Sequence, residues 1–295
     1  MGLYSTASYI ARHPLNKNGR VAALVRFIRW QISSRLMPYP AAIPFVNNHR
    51  LLIEHGMTGA TGNFYCGLHE ANDMAFVLHF LRAGDAFYDI GANIGSYTIL
   101  AAAAGVTKVV SFEPSPSTCE RFENNMHINR MMDMVELRRV ALGSENDEVR
   151  FTRGSDTVNH VAAKEDDIAA TELVALRRFD DFYQCGKTSF IKIDVEGYEA
   201  YVLSGATKAL EDPSLMGVLV EDNGSDQRYG NQQSVSEVLK SFGLQPFRYN
   251  PLTRELMADA GRMGEFGNVL FLRNFDEAVQ RVKTAGQFRL VNGCI

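Results

Sequence analysis

The chain has 295 residues, 46% of them hydrophobic and 22% charged, with a formal net charge of −4. That is the composition of a soluble globular protein, long enough for one large α/β domain with an extension. Four scattered cysteines (Cys66, Cys119, Cys185, Cys294) with no Cys-x-x-Cys pair argue against a zinc site or a disulfide framework and fit reduced thiols in a cytoplasmic protein.

Residues 1–53 hold seven Arg or Lys (Arg12, Lys17, Arg20, Arg26, Arg29, Arg35, Arg50) and no Asp or Glu, so the remainder carries −11 of the whole-chain −4. An acidic body is a poor nucleic-acid partner, because attraction to phosphate dominates that affinity. Within the basic segment, 20–37 reads as an amphipathic helix: Val21, Leu24, Val25, Ile28 and Ile32 recur at helical spacing, with Arg on the other faces and Pro38 and Pro40 ending it. Arg26 and Arg29 interrupt its most apolar run, 21–32, which argues against a membrane span or a cleavable signal peptide. Two readings stay open for this helix. It packs on the rest of the chain or on a second copy in a homo-oligomer, or it lies peripherally on an anionic membrane surface. Residues 41–68, rich in glycine, read as irregular chain with short strands.

From residue 70 strands and helices alternate: helix 70–83, strand 87–90, helix 97–104, strand 108–112, helix 116–129 and strand 135–140. After a polar excursion come strand 190–195, helix 198–211, strand 217–220, helix 233–242 and terminal strands near 245–249 and 268–273. Such alternation indicates a parallel, doubly wound sheet. The excursion, 143–188, reads as an inserted β-rich cover facing the substrate. The division expected is a basic extension 1–67, a catalytic domain 68–275 and a tail 276–295.

The chemistry concentrates at strand ends. Phe87-Tyr88-Asp89-Ile90-Gly91-Ala92-Asn93-Ile94-Gly95 sits where a strand hands over to a helix. Gly91 permits a tight turn, and Gly95 and Ser96 open a helix whose N-terminal amides favour an anionic group such as a carboxylate. Asp89 is placed to accept from a ligand ammonium, directly or through water. Glu113, 24 residues on and followed by Pro114, ends the next strand, where an acid can accept from both ribose hydroxyls. Ala141, in Val140-Ala141-Leu142-Gly143, would border an adenine. A dinucleotide fold usually shows Gly-x-Gly-x-x-Gly for a diphosphate, and here Asn93 replaces the middle glycine. S-adenosylmethionine has no phosphate and needs an amino-acid clamp, a ribose acid and an adenine slot. The alternatives are a nicotinamide-dependent oxidoreductase and a nucleotide-binding protein without catalysis.

Phe190-Ile191-Lys192-Ile193-Asp194-Val195-Glu196-Gly197-Tyr198-Glu199, followed by Val202-Leu203-Ser204-Gly205-Ala206, resembles the Lys-x-Asp-Val-Glu-Gly-x-Glu signature of the FkbM family of methyltransferases. Asp89 to Gly95 and Phe112-Glu113-Pro114 fit the same family, and the resemblance covers about residues 68–273. It implies a class I, Rossmann-like fold with an antiparallel hairpin at one sheet edge. It also implies methyl transfer from S-adenosylmethionine, commonly to a hydroxyl of a sugar, glycan or secondary metabolite.

Asp194 ends the fourth strand, at the sheet edge that faces a ligand crevice. Its candidate roles are to hold the ligand amino group, to orient an acceptor hydroxyl and to act as general base. His160 is the second candidate base. Glu196 is read either as a cleft residue or as a cap of the next helix, Glu199 as structural and Lys192 as the partner of a carboxylate. Asp222 and Asn223 end the fifth strand and, with Asp194, resemble the magnesium ligands of catechol-type methyltransferases.

Overall fold

A computed structural model of the chain describes residues 2–37, 39–154, 159–163, 166–222, 229, 234–259 and 267–295. Two helices, α1 (Leu3–Arg12) and α2 (Arg20–Leu36), lead into a small hairpin, β1 (Ala41–Pro44) and β2 (Arg50–Ile53), and then α3 (Thr58–Cys66). The alternating part follows: α4 (Ala71–Phe80), β3 (Ala86–Ile90), α5 (Ser96–Ala103), β4 (Lys108–Phe112), α6 (Pro116–Asn129) and β5 (Val135–Arg138). After β6 (Ala141–Leu142), the excursion forms β7 (Asp147–Thr152) and β8 (Thr171–Arg177). Then come β9 (Ser189–Ile193), α7 (Glu199–Ser204), α8 (Thr207–Glu211), β10 (Leu215–Glu221), α9 (Val235–Ser241), β11 (Gln245–Asn250), β12 (Glu255–Ala258), β13 (Asn268–Leu272) and α10 (Phe275–Thr284).

The main sheet has the order β12-β11-β13-β10-β9-β3-β4-β5, with β10, β9, β3, β4 and β5 parallel. This is the class I methyltransferase architecture expected from the motifs. Winding proceeds one way from β3 through β4 to β5, and the other way through β9 to β10, so direction reverses between β3 and β9. Ligand crevices form at that reversal, outside the strand carboxyl ends. The antiparallel edge is richer than a two-stranded hairpin. β13 inserts between β10 and β11, antiparallel to both, and β12 folds back outside β11.

The central strands are buried on both faces. Phe87, Val109, Phe190 and Leu219 pack towards α4 and α5, while Tyr88, Val110, Ile191 and Val218 pack towards α7, α8 and α9. Residues of the first 67, including Ile10, Phe27, Trp30, Phe45 and Tyr65, share the cluster of Phe87 and Phe190, as do Phe288 and Leu290 of the tail. Where one helix was expected over 198–211 there are two. The second is capped from outside by Asp180, whose carboxylate accepts from the amides of Lys208 (3.0 Å) and Ala209 (3.2 Å).

α3 is a helix where irregular chain was expected. α2 packs on the rest of the chain, one of the readings left open, but by the side opposite most of the aliphatic stripe, of which Leu24 alone packs against the core cluster. Its buried residues are Ala23, Phe27, Trp30 and Ser34, while Val21, Val25, Ile28 and Ile32 are exposed. Phe27 and Trp30 meet the Tyr65 and Phe64 rings of α3 edge-on, at centroid distances of 5.3 and 6.1 Å, and these contacts hold that side of the helix in the core. Pro38, expected to help end this helix, lies outside the described residues. Among the described residues no helix is long and apolar enough to cross a membrane.

Candidate active site

The β3 and β9 carboxyl ends cross at backbone contact distance. Asp194 donates its N–H to Ile90 O (3.1 Å), and a Cβ on Gly91 would lie 1.8 Å from Asp194 O. Gly91 also has φ +72°, so both its conformation and its neighbour require glycine. The turn is locked onto β4, because Phe112 O accepts from Gly91 N (3.0 Å) and Ala92 N (2.9 Å). Asn93, left-handed at φ 49°, donates its N–H to Glu113 Oε2 (3.1 Å), and Ser115 N donates to Glu113 Oε1 (2.9 Å). Burial pushes the Glu113 carboxyl up to about 7 against those two amide bonds.

One pleat below, Ser111, Asp89 and Lys192 stand side by side across β4, β3 and β9. Lys192 is buried. Its Nζ donates to Gly91 O (2.9 Å), lies 3.2 Å from Asp194 Oδ2 and 3.8 Å from Asp89 Oδ1, and sits over the Tyr97 ring. Burial alone would lower its pKa, but Asp194, Asp89 and Glu70 together outweigh that and raise it. Glu199 Oε1 accepts from the amides of Val195 (3.0 Å) and Gly197 (3.2 Å), bracing the loop that presents Asp194; burial pushes this carboxyl up to about 7.

Above this platform lie three adjoining cavities. The first, about 580 Å³ with its mouth, has Glu113 at its base and Phe112, Val140, Leu142, Phe151 and Val161 as apolar walls. The second, about 650 Å³, lies over Ser96, Tyr97 and Lys192 and shares only Asn93 and Asp194 with the first. The third, a groove of about 1580 Å³, shares His69 and Glu70 with the second and continues past Tyr9, His13 and Asp73. Asp194 therefore stands at the wall between the first cleft and a long trough formed by the other two.

Residues 89–250 match the model of the methyltransferase FkbM domain, more than half of the chain. The chain belongs to that family. Two curated relatives are similar to it. A hexuronic acid methyltransferase, AglP, of Haloferax volcanii is 28% identical over 157 residues, which is 52% of this chain and 62% of that protein. Methyltransferase 1 of Beauveria bassiana is 27% identical over 141 residues, 40% of this chain and 56% of that protein. The matched parts thus span less than two thirds of either relative. Among solved structures, an FkbM methyltransferase from Methylobacillus flagellatus aligns at TM-score 0.46 and 18% identity, covering 72% of this chain and 52% of the other.

Within this FkbM domain, Gly91, Asn93, Glu113, Pro114, Ala141 and Asp194 all line the first cavity. Ser96 lines the second instead. Gly95 lines neither; a Cβ there would meet Met126 (2.8 Å) and Phe122 (3.0 Å), so its place is set by α6 packing. Asp89 is a correction. It is fully buried under the turn, accepting from Thr98 Oγ1 (2.7 Å), and has no surface to offer a ligand. Its strand position aims it at Lys192 and Ser111 rather than over the sheet edge. His160 is a second correction. Asn159 and Val161 on either side face the cleft, so in this extended stretch His160 turns away, and its Nε2 lies 3.1 Å from Asp166 Oδ2.

The excursion 143–188 contributes β7 and β8, which join β6 in a small sheet, but it covers the first cavity through Phe151 and Val161. Among the described residues none of it lines the two trough cavities. Beside the motif residues Asn93, Ser96, Lys192 and Asp194, those are built by residues that carried no motif: Tyr9, His13, Met57, Asn63, His69, Glu70 and Asp73 from the N-terminal side, and Asn268 from β13. Only the absence of acids before residue 54 marked that region as distinct. Glu196 does not cap α7. It adopts φ 57°, and its carboxylate lies within 4.8 Å of those of Asp194 and Glu221. Asn223 lies outside the described residues.

Proposed function

We propose that this chain transfers the methyl group of S-adenosylmethionine to a hydroxyl of a sugar, glycan or similar polyol. The observation that carries the reading is the position of Asp194 and Asn93, the two residues common to the first cavity and the trough. The first cavity suits the donor. Its apolar walls match an adenine, Glu113 lies where ribose hydroxyls would be held, and among its described lining residues there is no Lys or Arg. A diphosphate would meet Glu113, Asp194 and Glu196 with no cation, which counts against a nicotinamide dinucleotide. The donor, when bound, supplies a methyl group on a sulfonium. Asp194 then has the place to orient an acceptor hydroxyl and take up its proton, while Lys192 fixes the carboxylate.

The trough bears on the acceptor. Tyr97 Oη donates to Glu70 Oε2 (2.7 Å), and Asn268 Nδ2 bridges Glu70 (3.1 Å) and Asp73 (3.2 Å). Arg248, on the same wall, is held by both carboxylate oxygens of Asp259 (3.0 and 2.7 Å). Such a surface accepts hydroxyls and repels a free carboxylate. What we carry over from the Haloferax relative is therefore a sugar, with a neutral face turned to this trough.

Calorimetric titration with S-adenosylhomocysteine, followed by transfer of labelled methyl to neutral glycosides and to glucuronides, tests the reading. Absence of donor binding at millimolar ligand overturns it. Binding without transfer to any hydroxyl supports the alternative of a non-catalytic nucleotide-binding protein. Magnesium dependence is a separate reading. Among the described residues the carboxylates that converge are Asp194, Glu196 and Glu221, the Asn223 of the expected set lying outside them, and unchanged turnover after full chelation removes the reading.

A further inference from the structure

We propose that the outward face of α2 docks on an anionic bilayer surface. At about 100° per residue, Val21, Val25, Ile28, Ile32 and Leu36 fall within a sector of about 80°. All five are solvent-exposed, by 77%, 42%, 55%, 59% and 77%. The opposite sector, Ala23, Phe27, Trp30 and Ser34, is the one in the core, so this stripe is not a misplaced core face. Contiguous exposed apolar side chains of this size mark an interaction site. Exposed Leu3 and Tyr4 on α1 extend the apolar surface of the same N-terminal segment.

Charge selects the occupant. Arg35 and Arg29 lie about 60° to either side of the stripe centre, and both are exposed, as are Arg12, Lys17 and Arg20. Arg26 alone turns inward, donating to Phe64 O (3.1 Å) and Tyr65 O (2.8 Å). Apolar side chains flanked by arginines, with no acid anywhere in residues 1–53, form the pattern that inserts at a headgroup boundary. A second copy of the chain would bring the same positive charges against these, which disfavours a dimer through this face. α1 packs on α2, and its Tyr9 together with nearby His13 lines the trough. Docking therefore sets the acceptor groove beside the bilayer.

The full chain should be sedimented with vesicles of about three parts phosphatidylcholine to one of phosphatidylglycerol, and with phosphatidylcholine alone. We expect binding to the anionic vesicles that falls as salt rises. The Arg29→Gln, Arg35→Gln double variant should bind about fivefold more weakly per arginine removed. The Val25→Asp, Ile28→Asp, Ile32→Asp variant should lose binding, with an unchanged circular dichroism melt because these positions are exposed. Equal sedimentation of wild type and both variants, or no sedimentation of wild type, overturns the proposal. A dimer in light scattering that Ile28→Asp abolishes would also overturn it and assign the stripe to a second copy. Because the assay involves no donor, its outcome is independent of the methyl-transfer reading.

Discussion

Lys192 Nζ lies 3.2 Å from Asp194 Oδ2, and through this pair the buried polar row under the turn is coupled to the floor of the cleft. The same cation compensates Asp89, which is fully buried and whose Oδ1 accepts no hydrogen bond. Lys192→Met keeps an unbranched side chain, one atom shorter, and removes the charge. Breaking a buried ion pair in this way should cost about 3–5 kcal/mol, read as a lower midpoint in urea unfolding. A midpoint equal to wild type would mean that the carboxylates are stabilised by something else.

Asp194→Asn keeps the shape of the side chain but cannot take up a proton. Turnover should fall by roughly 10²–10⁴-fold while donor affinity moves far less. Steady-state kinetics beside calorimetry separates the two, and equal losses in both would reassign Asp194 to holding the donor.

Glu113 couples pH to both stability and donor affinity, with opposite signs. Its folded-state carboxyl, pushed up to about 7, contributes stability that is present below the ordinary carboxylate range and is lost as pH rises through about 7. Relative to Glu113→Gln, the donor-free wild type should lose up to roughly 3 kcal/mol between pH 5 and 8. Donor affinity should rise over the same interval, because the ionised form accepts both ribose hydroxyls. In Glu113→Gln it should be roughly 10–100-fold weaker and nearly flat with pH. Melting curves and titrations at several pH values check both halves.

The trough makes a prediction about acceptor charge. Burial, reinforced by Glu70, pushes the Asp73 carboxyl up to about 7, and the Glu70 carboxyl is raised in the same way by its own burial. At pH 8, where the Asp73 carboxyl is ionised, Asp73→Asn should lower KM for a uronic-acid acceptor by roughly fivefold, about 1 kcal/mol of repulsion removed, and leave KM for a neutral glycoside nearly unchanged. A KM that moves equally for both would place the acceptor elsewhere.

Strands β3, β4, β9 and β10 were legible because each is a short, largely apolar run ending in glycine or an acid, and local pattern suffices for that. Glu113 and Asp194 were legible because a strand's carboxyl end fixes where its last side chain can go. Asp89 was misread by one pleat. Sequence marks it as near a strand end, but not that Gly91 is the residue at the level of Glu113 and Asp194. Which side of α2 turns inward was not legible, because the periodicity of two opposed apolar stripes is the same and only the partners of Phe27 and Trp30 decide it. The trough was invisible for a different reason. Tyr9, His69 and Asn268 are far apart in sequence and meet only through tertiary packing.

The succession of cavities has a kinetic consequence. Asn93 and Asp194 form a shared wall between the two cavities. On the proposed reading the nucleoside end of the donor and the body of the acceptor reach it from opposite sides, so neither has to be in place for the other to enter, and a spent nucleoside would depart while a long acceptor stays in the groove. A polymer with several hydroxyls could then be modified at successive positions without leaving the protein, and the distribution of partially methylated products, rather than the initial rate, would register it.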